Sequence, residues 1–136
     1  MDLYPPPPAQ PAVRPLFACI PGRPAVSART ARRLCDTAAL ATAAAFALPI
    51  GELLAPTRRS SYVAFARQSA MYLSHVAFSV SLSEVGRAFG RDRTTAAYAC
   101  QTVEDRRDDP AVDAVLSSLE RACGNLRRRL AAPVQP

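Results

Sequence analysis

The residues best suited to chemistry lie between positions 90 and 95, where Gly90-Arg91-Asp92 leads into Arg93-Thr94-Thr95. Short hydroxyls and a forked guanidinium at a helix start suit the base edges of a DNA major groove, and a threonine methyl can also touch a thymine methyl. Catalysis has less to work with. His75 is the single histidine. No nucleophile motif is present, and no carboxylate pair sits in an apolar setting. Glu104-Asp105 and Asp108-Asp109 belong to a run of mixed charge that reads as a solvated helix end. The four cysteines, Cys19, Cys35, Cys100 and Cys123, form no CxxC pair, so a zinc site is not expected. All 17 basic residues are arginine. Without lysine there is no Walker A loop, which needs one on the nucleotide phosphates. No cofactor is expected, and the chain reads as a binding protein rather than an enzyme.

The formal charge of +6 and the pI near 9.8 suit a polyanion, either nucleic acid or an acidic membrane surface. Compositional bias in a GC-rich genome accounts for the arginine and alanine richness as well as function does. With 136 residues and 49% apolar content, one compact domain with tails is expected. No signal peptide is visible, and the apolar run from Thr37 to Ile50 is too short and too interrupted to span a bilayer. A reducing bacterial cytoplasm, at the nucleoid, with buried thiols is the expectation.

These residues must be positioned by helices. Residues 1–26 hold Pro5, Pro6, Pro7, Pro8, Pro11, Pro15, Pro21 and Pro24, which prevents helix and sheet from propagating and predicts a disordered tail. Residues 27–130 read as one helical domain, and 131–136 as a short disordered tail. Ser27 can cap a first helix running through Arg32, Leu34, Leu40 and Phe46, ended or restarted at Pro49. Ile50, Leu53 and Leu54 make one further turn, and Thr57-Arg58-Arg59-Ser60-Ser61 is a basic connection. The next helix, about Tyr62 to Val76, carries Ala66, Ala70, Leu73 and Ala77 along a core face. Ser81-Leu82-Ser83-Glu84 has the form of a capping box, opening a short helix with Val85, Ala88 and Phe89 inward. Gly90 breaks it, and Asp92 caps a helix through Ala97, Tyr98 and Val103. Pro110 suits the first turn of a last helix carrying Val112, Val115, Leu116 and Leu119. No period-two strand pattern appears, so the fold class is all-α, a small helical bundle. Two helices joined at a glycine turn have the form of a helix-turn-helix, whose second helix enters the major groove.

The stretch from Ala66-Arg67-Gln68-Ser69-Ala70-Met71-Tyr72-Leu73 through Ser81-Leu82-Ser83-Glu84-Val85-Gly86-Arg87-Ala88-Phe89-Gly90-Arg91-Asp92-Arg93-Thr94-Thr95 closely resembles the C-terminal DNA-binding domain of the bacterial replication initiator DnaA. Phe46, Ile50, Glu52, Leu53, Leu54 and Arg58-Arg59-Ser60 extend the likeness upstream, so it covers about residues 37–107. The chain departs from the family pattern in several places. One glycine of a pair is missing before Arg91, Arg93 replaces a histidine, Ser83 replaces a proline, and the family's second histidine is absent after Ala97. No stretch corresponds to the family's ATPase module, so ATP hydrolysis is not expected.

The resemblance implies double-stranded DNA as partner and assigns roles by position. Arg59, with Arg58 beside it in the basic loop, would enter a narrow A·T-rich minor groove. Arg67, Gln68 and the backbone at Leu82 and Ser83 would hold phosphates, with His75 also on the phosphate side. Asp92, Arg93, Thr94 and Thr95 would read the major groove, while Arg91 would reach phosphate or stabilise the turn. A regulator of transcription or replication initiation at sites like the initiator's boxes is the leading reading, with replication or transcription proteins as further partners. The alternative is a protein-interaction module that kept the fold without base readout. The oligomeric state and the target sequence stay open.

Overall fold

The computed structural model describes residues 26–56 and 60–131. The expectations for the proline-rich segment, for Arg58 and Arg59, and for the C-terminal tail beyond 131 lie outside the described residues. Within them are six helices and no strand: α1 (Ala28–Ala45), α2 (Ile50–Leu54), α3 (Ser61–Val76), α4 (Leu82–Ala88), α5 (Arg93–Arg106) and α6 (Pro110–Ala131).

Local chemistry sets the helix starts. The side-chain oxygens of Ser27, Ser60, Ser81 and Asp92 each accept the amide three residues on, satisfying a donor that has no intrahelical partner. The second half of the expected capping box is not made, because the Glu84 carboxylate accepts from Arg87 Nη1 at 2.6 Å, not from the Ser81 amide. Helix α1 ends in an unusual way. Ala47 takes a left-handed conformation at φ 53° and the Leu48 amide bonds back to the Ala43 carbonyl at 2.9 Å, a closure more often made with glycine. Pro49 then caps α2.

Helix α3 is the axis of the bundle and is buried along most of its length, from Val63 to Ser74. Against it α1 packs a face of small residues, Ala31, Cys35, Ala38, Ala39, Thr42 and Ala43, at helical spacing. Small side chains let the two helices approach closely. Leu40 points away from this face and is exposed. Helix α5 packs Ala96, Ala99, Cys100 and Val103 against α3, and α4 packs Val85 and Phe89 into the same core.

Two sets of contacts hold α5, one at each end. The first is the turn after α4. Gly90 has φ +68°, and the Arg91 amide donates to the Gly86 carbonyl at 2.7 Å. The turn backbone lies so close to α4 that a Cβ on Gly86 would stand 2.7 Å from the Arg91 carbonyl oxygen and 2.8 Å from that of Asp92. Two small features thus make the turn compact despite its single glycine. One is the positive φ at Gly90; the other is the missing side chain at Gly86.

The second contact fixes the far end of α5 to α6. Arg107 Nε donates to Asp113 Oδ1 at 2.7 Å, Nη2 donates to Ser117 Oγ at 2.9 Å, and Nη1 reaches both the Glu120 carboxylate and the Tyr72 hydroxyl. Tyr72, buried in α3, donates in turn to Glu104 Oε1 at 2.7 Å. One guanidinium therefore joins three helices. Desolvation opposes its charge, but Asp113, Tyr72 and Glu120 more than offset this and raise its pKa. Burial, with the Glu104 and Glu120 carboxylates, pushes the Tyr72 phenol up so that it stays neutral.

Two variants, each with a control, test these contacts. Arg107→Met leaves two α6 carboxylates without their cation and is expected to lower stability by about 2–3 kcal/mol in urea melts. Arg32→Met, which breaks only the exposed Arg32–Asp36 pair at 3.3 Å, is expected to cost less than about 0.5 kcal/mol. Equal losses would show that Arg107 does not join the helices. Gly86→Ala forces a methyl into the turn and is expected to cost about 1–3 kcal/mol, while Gly51→Ala, with nothing within 4 Å of its Cβ, is neutral or mildly stabilising. Thermal melts of both check the assignment, and an unperturbed Gly86→Ala would contradict it.

Candidate nucleic-acid interface

The start of α5 is the most exposed polar part of the helix pair. Asp92, Arg93, Thr94 and Thr95 are all exposed, while Ala96, Ala99, Cys100 and Val103 hold the opposite face of the same helix in the core. Packing therefore fixes which way the first turn of α5 looks. Asp92 Oδ1 accepts from the Thr95 amide at 2.7 Å. That backbone bond, helped by the Thr95 side chain and the Thr94 amide, holds the Asp92 carboxyl below the usual carboxylate range. The folded-state pKa is depressed, so the cap is complete above the ordinary carboxylate pKa and is lost as pH falls through the lowered value. Asp92, expected to read the groove, thus shapes the first turn of the helix that carries Arg93, Thr94 and Thr95.

Tyr98 is a residue that the sequence reading does not include in the site. It is 67% exposed and stands three and four residues after Thr95 and Thr94, which places it on their face of α5. The available signal is the spacing: an aromatic one turn beyond the threonines, in a helix whose other faces pack.

The preceding helix contributes its first turn. Ser81 Oγ accepts from the Glu84 amide at 3.2 Å, Leu82 is half-buried, and Ser83 is exposed. The amides of Leu82 and Ser83 belong to the turn whose N–H groups have no carbonyl within the helix, and so can meet an anion.

Arg67, Arg91 and His75 each make contacts within the domain. Arg67 is 7% exposed. Its Nε donates to the Leu53 carbonyl at 2.8 Å, and its Nη2 to the Ala55 carbonyl at 2.7 Å. Carbonyls at a helix C-terminus lack intrahelical donors and carry partial negative charge, which is what a buried guanidinium needs. Arg91, half-buried, reaches the next carbonyl in line, that of Pro56, at 3.3 Å, and its own neighbour Gly90 at 3.4 Å. Together the two arginines hold the end of α2 against α3 and the helix-helix turn, at the point where the basic loop begins. His75 is half-buried and its Nδ1 stands 2.7 Å from the Val80 carbonyl. A carbonyl only accepts, so Nδ1 carries the hydrogen and the ring braces the segment between α3 and α4. Gln68, next to Arg67, is half-buried. The expectation places Arg67, Gln68 and His75 on phosphates; the structure gives Arg67 and His75 positioning contacts within the domain. No local signal marks this, because the carbonyls that bind Arg67 lie 14 and 12 residues away.

Little else in the described residues resembles a reactive centre. Burial pushes the Cys35 thiol up to about 11 and the Cys100 thiol up to about 12, leaving both protonated. Among the described residues no group of three or more His, Cys, Asp or Glu side chains could hold a metal ion. No helix among them is long and apolar enough to cross a membrane.

The geometry is that of a short helix, a compact turn and an outward-facing second helix. Comparison with known proteins agrees with it. A family model described as the bacterial dnaA protein helix-turn-helix matches residues 36–103. A chromosomal replication initiator protein, DnaA 2 of Chlamydia muridarum, is 39% identical over 69 residues, which is 51% of this chain and 14% of that protein. The chromosomal replication initiator protein DnaA of Thermus thermophilus is 40% identical over 74 residues, 53% of this chain and 17% of that protein. The match is thus confined to a small part of each relative's length. It takes in the second half of α1 and all of α2, α3, α4 and most of α5, including every residue placed above around the turn. The chain belongs to the bacterial DnaA helix-turn-helix family.

Proposed function

We propose that this protein binds double-stranded DNA in a sequence-specific way and regulates transcription or replication initiation at sites like those of the initiator proteins it resembles. One observation carries the reading: Arg93, Thr94 and Thr95 are exposed together at a capped helix start whose opposite face is locked in the core. Side chains of that size and chemistry, held rigidly, can discriminate base edges. Phosphate contacts come from the first turn of α4, and Arg59, which follows the end of α2 that Arg67 and Arg91 hold, adds minor-groove contact. The action is binding, without catalysis or a cofactor, in the bacterial nucleoid.

Selection of duplexes from a random pool tests this reading. The wild-type chain is expected to enrich one short consensus. Thr94→Ala with Thr95→Ala is expected to lose about 1–3 kcal/mol of discrimination per lost base contact while keeping salt-sensitive background binding. Arg59→Ala is expected to weaken A·T-flanked sites most. Loss of specific and background binding in equal measure by a folded double variant would remove these threonines as the reading head. Absence of any enriched sequence, together with a stable protein partner, would favour an interaction module.

A further inference from the structure

Helix α6 ends in an arginine cluster that lies beyond residue 103, where the family match stops. Its course is informative. Val112 and Val115, near its start, face Tyr62 and Phe65 at the beginning of α3 across a shared cavity. Fifteen residues after Val112, Arg127 Nη1 reaches the carbonyl of Ala77, just past the end of α3, at 3.5 Å. So α6 runs alongside α3 in the same direction and brings its C-terminal turns to the segment joining α3 to α4. That segment leads directly to Ser81 and to the first turn of α4, where phosphate contact is expected.

The charge delivered there has no acidic counterpart within the helix. The acidic side chains Asp113 and Glu120 of α6 are both taken by Arg107. From Arg121 to Ala131 there is no Asp or Glu, but there are Arg121, Arg127, Arg128 and Arg129. The contacts of three of them are with neutral groups: Ser118 Oγ for Arg121, the Ala77 carbonyl for Arg127 and Asn125 Oδ1 for Arg128. Arg128 and Arg129 are exposed. A single cation suffices to complement the negative end of a helix dipole, whose influence fades within a turn. Three consecutive arginines exceed that need.

We infer that Arg127, Arg128 and Arg129 form a second phosphate-binding patch, which grips the DNA backbone outside the stretch read by α5. The inference rests on the DNA-binding reading above and adds a contact to it. The Arg127 contact sets the patch beside the segment that joins α3 to α4 and not at the start of α5, so it engages flanking DNA and extends the footprint without adding base preference.

The test compares wild type with the R127Q/R128Q/R129Q and R127K/R128K/R129K variants. Each is titrated at several salt concentrations with a duplex of about one helical turn around the selected site and with one of about three turns. On the longer duplex the glutamine variant is expected to lose about 2–3 units of the slope of log K against log salt, near 0.9 per phosphate contact. On the short duplex it is expected to match wild type, and the lysine variant is expected to keep the slope on both. An unchanged slope on the longer duplex overturns the inference, including the case where only the melting temperature falls, which returns the arginines to complementing the helix end. An equal loss on both duplexes overturns the flanking placement. Competition with unrelated duplex is read separately. A wild-type chain with no site preference would sink the regulatory reading and still leave the slope comparison decisive for the patch.

Discussion

The site depends on one close approach: the backbone of Arg91 and Asp92 lies against α4 at Gly86, in space that any side chain would fill. With Gly86 in place, the chain reverses within a few residues, and Asp92 arrives where its carboxylate can cap α5. The capped start then projects Arg93, Thr94 and Thr95 outward while Ala96 and Ala99 turn into the core. A methyl at Gly86 would push the Arg91 and Asp92 carbonyls away, and the direction of the whole recognition helix would follow. The family's second turn glycine is dispensable here because Gly90 alone supplies the positive φ.

Around that turn, arginine acts in two ways. Arg67, Arg91 and Arg107 are turned inward, where forked donors meet several acceptors at once: the carbonyls ending α2, the Pro56 carbonyl, and the α6 carboxylates with Tyr72. Such contacts suit guanidinium more than ammonium because its donors are planar and fixed in direction. The exposed arginines, Arg93 at the head of α5 and Arg128 and Arg129 near the end of α6, hold their charge at the surface. Inward arginines fix the relative placement of α2, α3, α5 and α6.

Much of this is legible in the sequence, and the pattern of what is not has a physical reason. Caps at Ser27, Ser81 and Asp92, the proline starting α6 and the break at Gly90 involve residues within four positions of one another, so local chemistry reveals them. The core face of α3 is legible from the spacing of Ala66, Ala70 and Leu73. The contacts of Arg67 and His75 within the domain are not legible, because their partners, Leu53, Ala55 and Val80, become neighbours only when the helices pack. The same holds for Arg107, whose side-chain partners come from α3 and α6. Gly86 is visible as a letter in a motif, yet its reason, the turn backbone lying against it, is tertiary. Pro49 is legible as the point where the chain ends or restarts a helix, and it caps α2; the closure of α1 at left-handed Ala47 is a conformation that no residue preference at that position announces.

The central claim is that the face comprising the first turns of α4 and α5 meets DNA bases and phosphates. Amide chemical-shift mapping of the full chain, titrated with a selected duplex and then with a scrambled one, tests it most directly. The account expects the largest changes at Ser81–Ser83 and Arg91–Thr95, with those of Arg93–Thr95 sharply reduced for the scrambled duplex. Changes centred on Tyr62, Phe65, Val112 and Val115, or an identical map for both duplexes, would contradict it.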